Sequence, residues 1–178
     1  NRFQMLFKFF PLFIFLLYVG CINKIEHINS SFSEKKITDF GIDVEISYYL
    51  KGQLEFQLIA PEIEQITNPI KQNIFSQGIS VYIYNSSLDT IASIFSDFAI
   101  QNKQDNLVEV KKNVVLKNIQ NEQLNTESLF WDKNTKTIYT DDFVTINTKN
   151  EIIMGYGFVT DQNFSTYSLS NITGTIYL

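Results

Sequence analysis

Residues 124–146 read LNTESLFWDKNTKTIYTDDFVTI, and the spacing of their apolar side chains decides the fold. Leu129 and Trp131 point one way and Phe130 points the other, which is the two-residue period of a strand with one buried face. The polar residues 133–136 predict a turn, and the same alternation resumes after it. The stretch is therefore predicted to be two strands of a sheet, with its acidic residues at strand ends and turns.

The same period begins much earlier in the chain. A strand is predicted from Ile42 to Leu50, followed by a turn at Lys51-Gly52 and a second strand from Leu54 to Ala60. Pro61 has no backbone N–H to donate, so it is expected to limit the strand pairing that follows.

Further short strands follow with polar turns between them. ISVYIY at 79–84 is a strand, and TIASIFSDFAI at 90–100 fits a strand or a helix, with its β-branched residues favouring a strand. Beyond residue 106 no segment has helical length or period. So many closely spaced strands predict an all-β, antiparallel fold, either a sandwich or an open barrel.

Composition limits the possible functions. Of the 178 residues 44% are hydrophobic, which indicates a folded core rather than a disordered chain. The formal net charge is −5, and removal of Arg2 and Lys8 with a leader would leave 12 basic against 19 acidic residues, or −7. No basic patch is interleaved with aromatic residues, so no nucleic-acid partner is expected. The chain has one cysteine, which excludes an internal disulfide in the monomer, and one histidine, which excludes the usual His-rich metal sites.

Residues 1–21 have the pattern of a secretory leader. Two basic residues precede an apolar run from Phe9 to Val19, which is shorter than the roughly 20 residues that a membrane-spanning helix needs. The closing LYVGC resembles a bacterial lipobox and predicts lipidation of Cys21, although Tyr18 stands where the usual leucine would be. An uncleaved membrane anchor and an unmodified thiol are the alternatives.

Residues 22–41 are polar and weakly patterned, so they are predicted to be a tether between this leader and the body at 42–178. His27 lies in the tether and is interpreted as a solvated linker residue.

Four acids raise the question of catalysis. Glycosidases use a pair of carboxylates, one of which has a raised pKa in an apolar cleft. Acids beside turns are usually solvated, so the chain is predicted not to be an enzyme and to need no cofactor. The four acids are Glu127, Asp132, Asp141 and Asp142.

An ordered set of motifs resembles the LptC family of lipopolysaccharide export proteins, in the branch found in Bacteroidetes-like bacteria. GQLEFQLIAPEIEQ (52–65) resembles its early repeat. NVVLKN (113–118), the tryptophan-aspartate segment at 124–132 and IYTDDFVTI (138–146) resemble its later repeats, and IIMGYG (152–157) closes the series. The resemblance covers residues 42–178.

The resemblance implies an open, twisted β-jellyroll at the periplasmic face of the bacterial inner membrane. It implies that lipopolysaccharide passes from an LptBFG-type ABC transporter into an apolar groove and then to the periplasmic protein LptA. The edge strand at Ile42–Leu50 would contact the transporter and the last strand, Gly174–Leu178, would contact LptA. The body would be held at the membrane by its N-terminal anchor.

Alternation assigns a set of side chains to the inward face, where the resemblance implies contact with the acyl chains of lipid A. The resemblance also implies that Gly155 or Gly157 is a glycine needed near the groove and partner contacts, with a bulge or a close sheet approach as the alternative. The inward set is Phe56, Leu58, Val81, Ile83, Phe98, Val110, Val114, Leu116, Leu129, Trp131, Ile138, Val144, Ile146 and Ile153.

Two other functions stay open at this point. One is a soluble LptA-like chaperone, which would carry no lipid anchor. The other is a surface lipoprotein with a sugar-binding β-sandwich, which would expose tryptophan and tyrosine platforms. The alternation that turns Trp131 inward disfavours such a platform.

Overall fold

The computed structural model describes residues 36–178, except for the side chains of Lys36 and Thr38. All regular structure in this range is antiparallel strand, which confirms the all-β prediction. The leader, Cys21, His27 and residues 22–35 of the predicted tether lie outside the described residues. The strands are β1 (Lys36–Leu50), β2 (Gln53–Asn68), β3 (Gln72–Phe75), β4 (Ile79–Tyr84), β5 (Thr90–Ser96), β6 (Phe98–Asn102), β7 (Leu107–Asn118), β8 (Gln123–Asp132), β9 (Thr137–Thr140), β10 (Val144–Asn147), β11 (Glu151–Asp161) and β12 (Tyr167–Tyr177).

Long strands join two layers of the sheet. The first half of β2 pairs with β4 and its second half with β3. In the same way β7 pairs with β6 and then with β5, while β8 pairs with β10 and then with β9. The first layer therefore contains β4, β5 and β10, and the second contains β3, β6 and β9. β1 and β12 flank these layers at the two ends of the strand order.

The long strands bend where they leave one layer for the other. β7 has a register shift between Lys111 and Val114, and the two residues between them have positive φ angles of 65° and 51°. Positive φ angles also occur at Asp43 in β1 and at Gly157 in β11. Gly157 lies between the part of β11 that pairs with β10 and the part that pairs with β9. Such bulges turn a strand sharply and increase its twist, which lets one strand serve two layers.

One apolar core lies between the layers. In β4 every second residue is buried, so Ile79, Val81 and Ile83 face the core while the tyrosines between and beyond them point outward. The aromatic rings of Phe56 in the first layer and Trp131 in the second lie 5.0 Å apart, edge to face. This contact shows that the inner faces of the two layers meet.

Several predicted strand boundaries were wrong. β1 begins at Lys36 rather than Ile42, so the last part of the predicted tether is strand. Pro61 does not end its strand, because it lies at the bend where β2 changes its pairing partner from β4 to β3. The segment 90–100 is strand, as favoured, but it breaks into β5 and β6 at Asp97. Strand β3 was not predicted.

Candidate functional site

The predicted inward face is the core of the structure. Most of its members are buried, and Phe56 and Ile153 are half-buried and pack against that core. The buried members are Leu58, Val81, Ile83, Val110, Val114, Leu116, Leu129, Trp131, Ile138, Val144 and Ile146. Their side chains fill the space between the layers, so acyl chains would have to part the layers to enter. Contact with lipid stays a prediction for all of them.

Phe98 does not lie on the inward face, and this assignment was wrong. Its neighbour Ala99 is fully buried and pairs with the buried Val110. Phe98 pairs with Lys111 instead, and its ring lies under the ammonium group of Lys112 at 5.7 Å. The break at Asp97 shifts the alternation by one residue, which an unbroken strand from 90 to 100 would not show.

The two layers approach each other along a rim, which we define by the β1–β2 turn at 51–52 and the β8–β9 turn at 133–136. Beside the Phe56–Trp131 contact, the Nζ of Lys136 lies 3.3 Å from an Oε of Glu55 and links the second layer to the first. Farther along the sheet the side-chain amide of Asn118 donates a hydrogen bond of 3.0 Å to the carbonyl of Phe164. These contacts hold the layers together where no strand crosses between them.

A cavity of about 160 Å³ lies at this rim. Its apolar wall is a chain of rings: Tyr48 stacks on Phe56 at 4.9 Å, and Phe56 meets Trp131 edge to face. Its polar wall comes from the turns. We call it the rim cavity, and its lining residues are Tyr48, Leu50, Glu55, Phe56, Asn106, Trp131, Lys133, Asn134, Lys136 and Gln162.

Lys133 and Trp131, two residues that line the rim cavity, each carry a polar group without a partner of opposite character in residues 36–178. The Nζ of Lys133 lies 5.8 Å from the centre of the Phe56 ring, and burial lowers the pKa of its ammonium group. Within residues 36–178 no carboxylate lies within salt-bridge distance of Lys133, whereas Lys136 is paired with Glu55. The indole Nε1 of Trp131 is buried and has no hydrogen-bond acceptor in the described part of the chain. The lining thus holds one lysine paired with a carboxylate, Lys136, and one without a salt-bridge partner in residues 36–178, Lys133.

Sequence reasoning missed most of the polar wall. Lys133 and Lys136 were recognised as turn residues, but the strand period has no bearing on where a turn lies relative to the opposite layer. Tyr48 was placed in a strand without a role. The signal that could have singled out Lys133 is its position directly after the tryptophan-aspartate pair, at the end of a strand with a buried face.

The four acids do not all lie in one cleft. Glu127, Asp141 and Asp142 line a wide groove of about 670 Å³ on the outer surface. Asp132 lies elsewhere, and its pKa is lowered because backbone N–H groups, above all that of Asn134, donate to its carboxylate. Among the described residues no group of His, Cys, Asp and Glu side chains could hold a metal ion.

Gly155 and Gly157 lie in β11, where its backbone comes close to that of the paired strand β12. A methyl group on Gly155 would collide with the backbone carbonyl of Asn171, and one on Gly157 would come within 2.8 Å of the Ser170 side chain. Gly157 also has a φ of 69°, a conformation that favours glycine. Close packing against β12 therefore explains why glycine is needed at both positions, and their contact with a partner stays a prediction.

The fold and the apolar interior define the class of protein: an antiparallel β-jellyroll built from two layers, as predicted. The family model described as lipopolysaccharide-assembly, LptC-related, matches residues 12–177. The chain belongs to this LptC family. A comparison with curated proteins found no match.

Membership fixes the general role of the chain. LptC proteins serve lipopolysaccharide transport and are associated with lipopolysaccharide binding and with the Lpt transport complex at the periplasmic side of the inner membrane. The family is one of transport proteins and is not known for enzymes. Within residues 36–178 no helix is long and apolar enough to cross a membrane.

Proposed function

We propose that this chain accepts lipopolysaccharide from an inner-membrane ABC transporter of the LptBFG type and passes it to the periplasmic bridge protein LptA. The acyl chains of lipid A would lie between the two layers, against the inward face. The observation that carries the proposal is the continuous apolar core between layers that strands do not join at the rim. Each methylene group moved from water into such an interior contributes about 0.8 kcal/mol, so a few acyl chains would be held firmly.

The two end strands are suited to the two docking steps. Within residues 36–178, β1 pairs with β2 alone and β12 pairs with β11 alone, so each presents one edge to a further strand. A partner can extend a sheet by adding a strand to such an edge. Both strands also expose apolar side chains: Ile37, Phe40, Ile42 and Tyr49 on β1, and Ile172, Ile176 and Tyr177 on β12. We propose that β1 meets the transporter and β12 meets LptA.

The burial of Trp131 disfavours the sugar-binding alternative. Its side chain is only 3% exposed, whereas a sugar platform needs an accessible ring. A soluble LptA-like chaperone is the remaining alternative. Membrane fractionation distinguishes this chaperone from the proposed transport protein. An anchored transport protein would stay with the inner membrane, while a soluble chaperone would be released with the periplasm.

Photo-crosslinking tests the acyl-binding interior. The photoreactive residue p-benzoylphenylalanine replaces one aromatic residue of the full chain, lipopolysaccharide is added, and adducts are detected after illumination. We expect adducts at the inward Phe56 and Trp131 and much weaker ones at the outward Phe98 and Phe130, which serve as matched aromatic controls. Equal adducts on both faces, or none at the inward positions of a folded protein, would contradict the proposal.

The transfer steps need their own experiment. The full chain with the photoreactive residue at Phe56 is placed in vesicles with the transporter and lipopolysaccharide. Adducts should accumulate on addition of ATP and should then appear on LptA when LptA is present. Adducts that form to the same extent without ATP would show that the chain does not accept its lipid from the transporter.

A further inference from the structure

The rim cavity differs from the rest of the interior in its chemistry. The core between the layers is aliphatic and aromatic. At the rim Lys133 and Trp131 line the same cavity as Tyr48 and Phe56. Lys133 is half-buried, and the Nε1 of Trp131 is buried without a hydrogen-bond acceptor in residues 36–178. A half-buried cation with no carboxylate within salt-bridge distance in residues 36–178 is unfavourable for the folded chain by itself, and an anionic ligand would offset this cost.

We propose that the rim cavity binds the phosphate head group of a lipid whose hydrocarbon chain continues between the layers. Lys133 supplies the positive charge, and Trp131 Nε1 donates a hydrogen bond to a phosphate oxygen. Tyr48 and Phe56 contact the first methylene groups below the phosphate. This inference rests on the proposed function and adds the place and the chemistry of head-group recognition.

The location and the charge support a phosphate at this rim rather than elsewhere on the surface. A wide groove elsewhere on the described part of the chain carries Glu127, Asp141 and Asp142, which repel an anion. Lys136 is already paired with Glu55, so Lys133 is the cation of the rim cavity that can serve a ligand. The chain as a whole has a net charge of −5, so a local cation is needed to hold an anionic head close to it.

Trp131 is the one tryptophan of the chain, so its fluorescence reports on this cavity alone. The full chain in micelles of dodecyl maltoside, a detergent without a phosphate group, is titrated with dibromododecyl phosphate, whose bromine atoms quench a nearby indole. The comparison amphiphile is dibromododecyl glucoside, which has the same chain and a neutral head. Inorganic phosphate alone distinguishes a lipid head group from a free anion.

We expect the phosphate amphiphile to quench Trp131 at a concentration about tenfold lower than the glucoside does, because a charge-assisted hydrogen bond contributes a preference of this order. The variant Lys133→Met should lose this preference while quenching by the glucoside persists. Lys133→Gln serves as a second variant in case the first does not fold. The control Lys111→Met removes one charge on the outer face, where Lys111 pairs with Glu109, and should keep the preference.

Each outcome separates the inference from the proposed function. Equal quenching by both amphiphiles in the wild type and in the variants would overturn the head-group site and leave acyl binding intact. Quenching by neither amphiphile would overturn both. A loss of preference in Lys111→Met as large as that in Lys133→Met would show that net charge decides, and a change in emission with inorganic phosphate alone would show a free-anion site. Either result would overturn the inference.

Discussion

At the scale of the residue, Lys133 combines two opposing effects. Its side chain lines the rim cavity beside Phe56 and Trp131, while burial disfavours the charged ammonium at its end. The 5.8 Å distance to the Phe56 ring is near the outer limit for a cation–π interaction, so this attraction offsets little of the desolvation. A side chain that lowers stability where it binds a ligand is a common feature of functional sites.

We therefore predict that Lys133→Met raises the thermal unfolding midpoint at pH 7 by about 1–2 °C. Substitutions at partly exposed positions change stability by about 0.5 kcal/mol, and about 1 kcal/mol moves the midpoint of a chain of this size by about 2–4 °C. Methionine is an unbranched side chain of similar length, and it removes the charge. The check is a thermal melt followed by circular dichroism.

The pH dependence of this effect has a definite sign. Because the pKa of Lys133 is lower in the folded chain than in the unfolded chain, the unfolded chain binds more protons between the two values. The wild type therefore gains stability as pH rises through that window toward the ordinary lysine pKa of 10.5, and the advantage of Lys133→Met should shrink there. An advantage that grows between pH 8 and pH 10 would show that desolvation is not the cause.

At the scale of the element, the long strands are the unusual feature. A strand that serves two layers must bend, and the positive φ angles of Lys112, Asn113 and Gly157 mark these bends. The pairing of β11 with β12 has a further register shift between Met154 and Gly155. β12 is one of the two edge strands proposed to dock a partner. The way in which β11 packs against β12 therefore determines how β12 is presented to that partner.

We predict that Gly155→Ala lowers the free energy of unfolding by about 2 kcal/mol or more, as overpacking in a tight contact does. The added methyl group would collide with the Asn171 carbonyl and lie 3.1 Å from the Cα of Ile172, and backbone atoms cannot move without disturbing the strand pair. Urea unfolding followed by circular dichroism measures this change.

Gly174→Ala is the matched control in the same strand pair. There the nearest atom is the terminal methyl carbon of Met154 at 3.0 Å, and this flexible end can turn away. We expect a change within about 0.5 kcal/mol. Equal losses in both variants would show that the close backbone approach at Gly155 does not limit the pairing.

At the scale of the whole molecule, two properties govern how a lipid would enter. The interior is filled by its own side chains, so loading requires the layers to part, and the rim is where strand pairing does not resist this. The net charge of −5 repels an anionic lipid at long range, while Lys133 attracts its head group at short range. Salt screens the first interaction more than the second, because partly buried charges are shielded from ions.

We predict that the association rate of a phosphate amphiphile rises severalfold when the salt concentration increases from about 0.01 M to 0.15 M, where the screening length falls from about 30 Å to about 8 Å. Long-range repulsion limits the rate of encounter, so its removal accelerates binding. Stopped-flow fluorescence of Trp131 measures the rate. The neutral glucoside should bind at a rate independent of salt, and a phosphate rate that falls with salt would show that attraction dominates at long range.

Much of the site could be predicted from the sequence because a strand has a fixed period. The alternation of Leu129, Phe130 and Trp131 places two of these side chains in the core and one outside, and the structure confirms it. The assignment failed at Phe98 because one non-pairing residue, Asp97, reverses the faces, and the local sequence contains no proline or glycine to mark the break.

The sequence by itself determined the all-β class, most of the inward face and the family, since these depend on local periodicity and on ordered motifs. Tertiary structure alone decided that β2 continues through Pro61 and that Tyr48 and Lys133 line one cavity with Trp131. The physical reason is distance along the chain. Which turn of one layer lies opposite which strand of the other depends on the bends and twist of all the long strands together, and no local period encodes it.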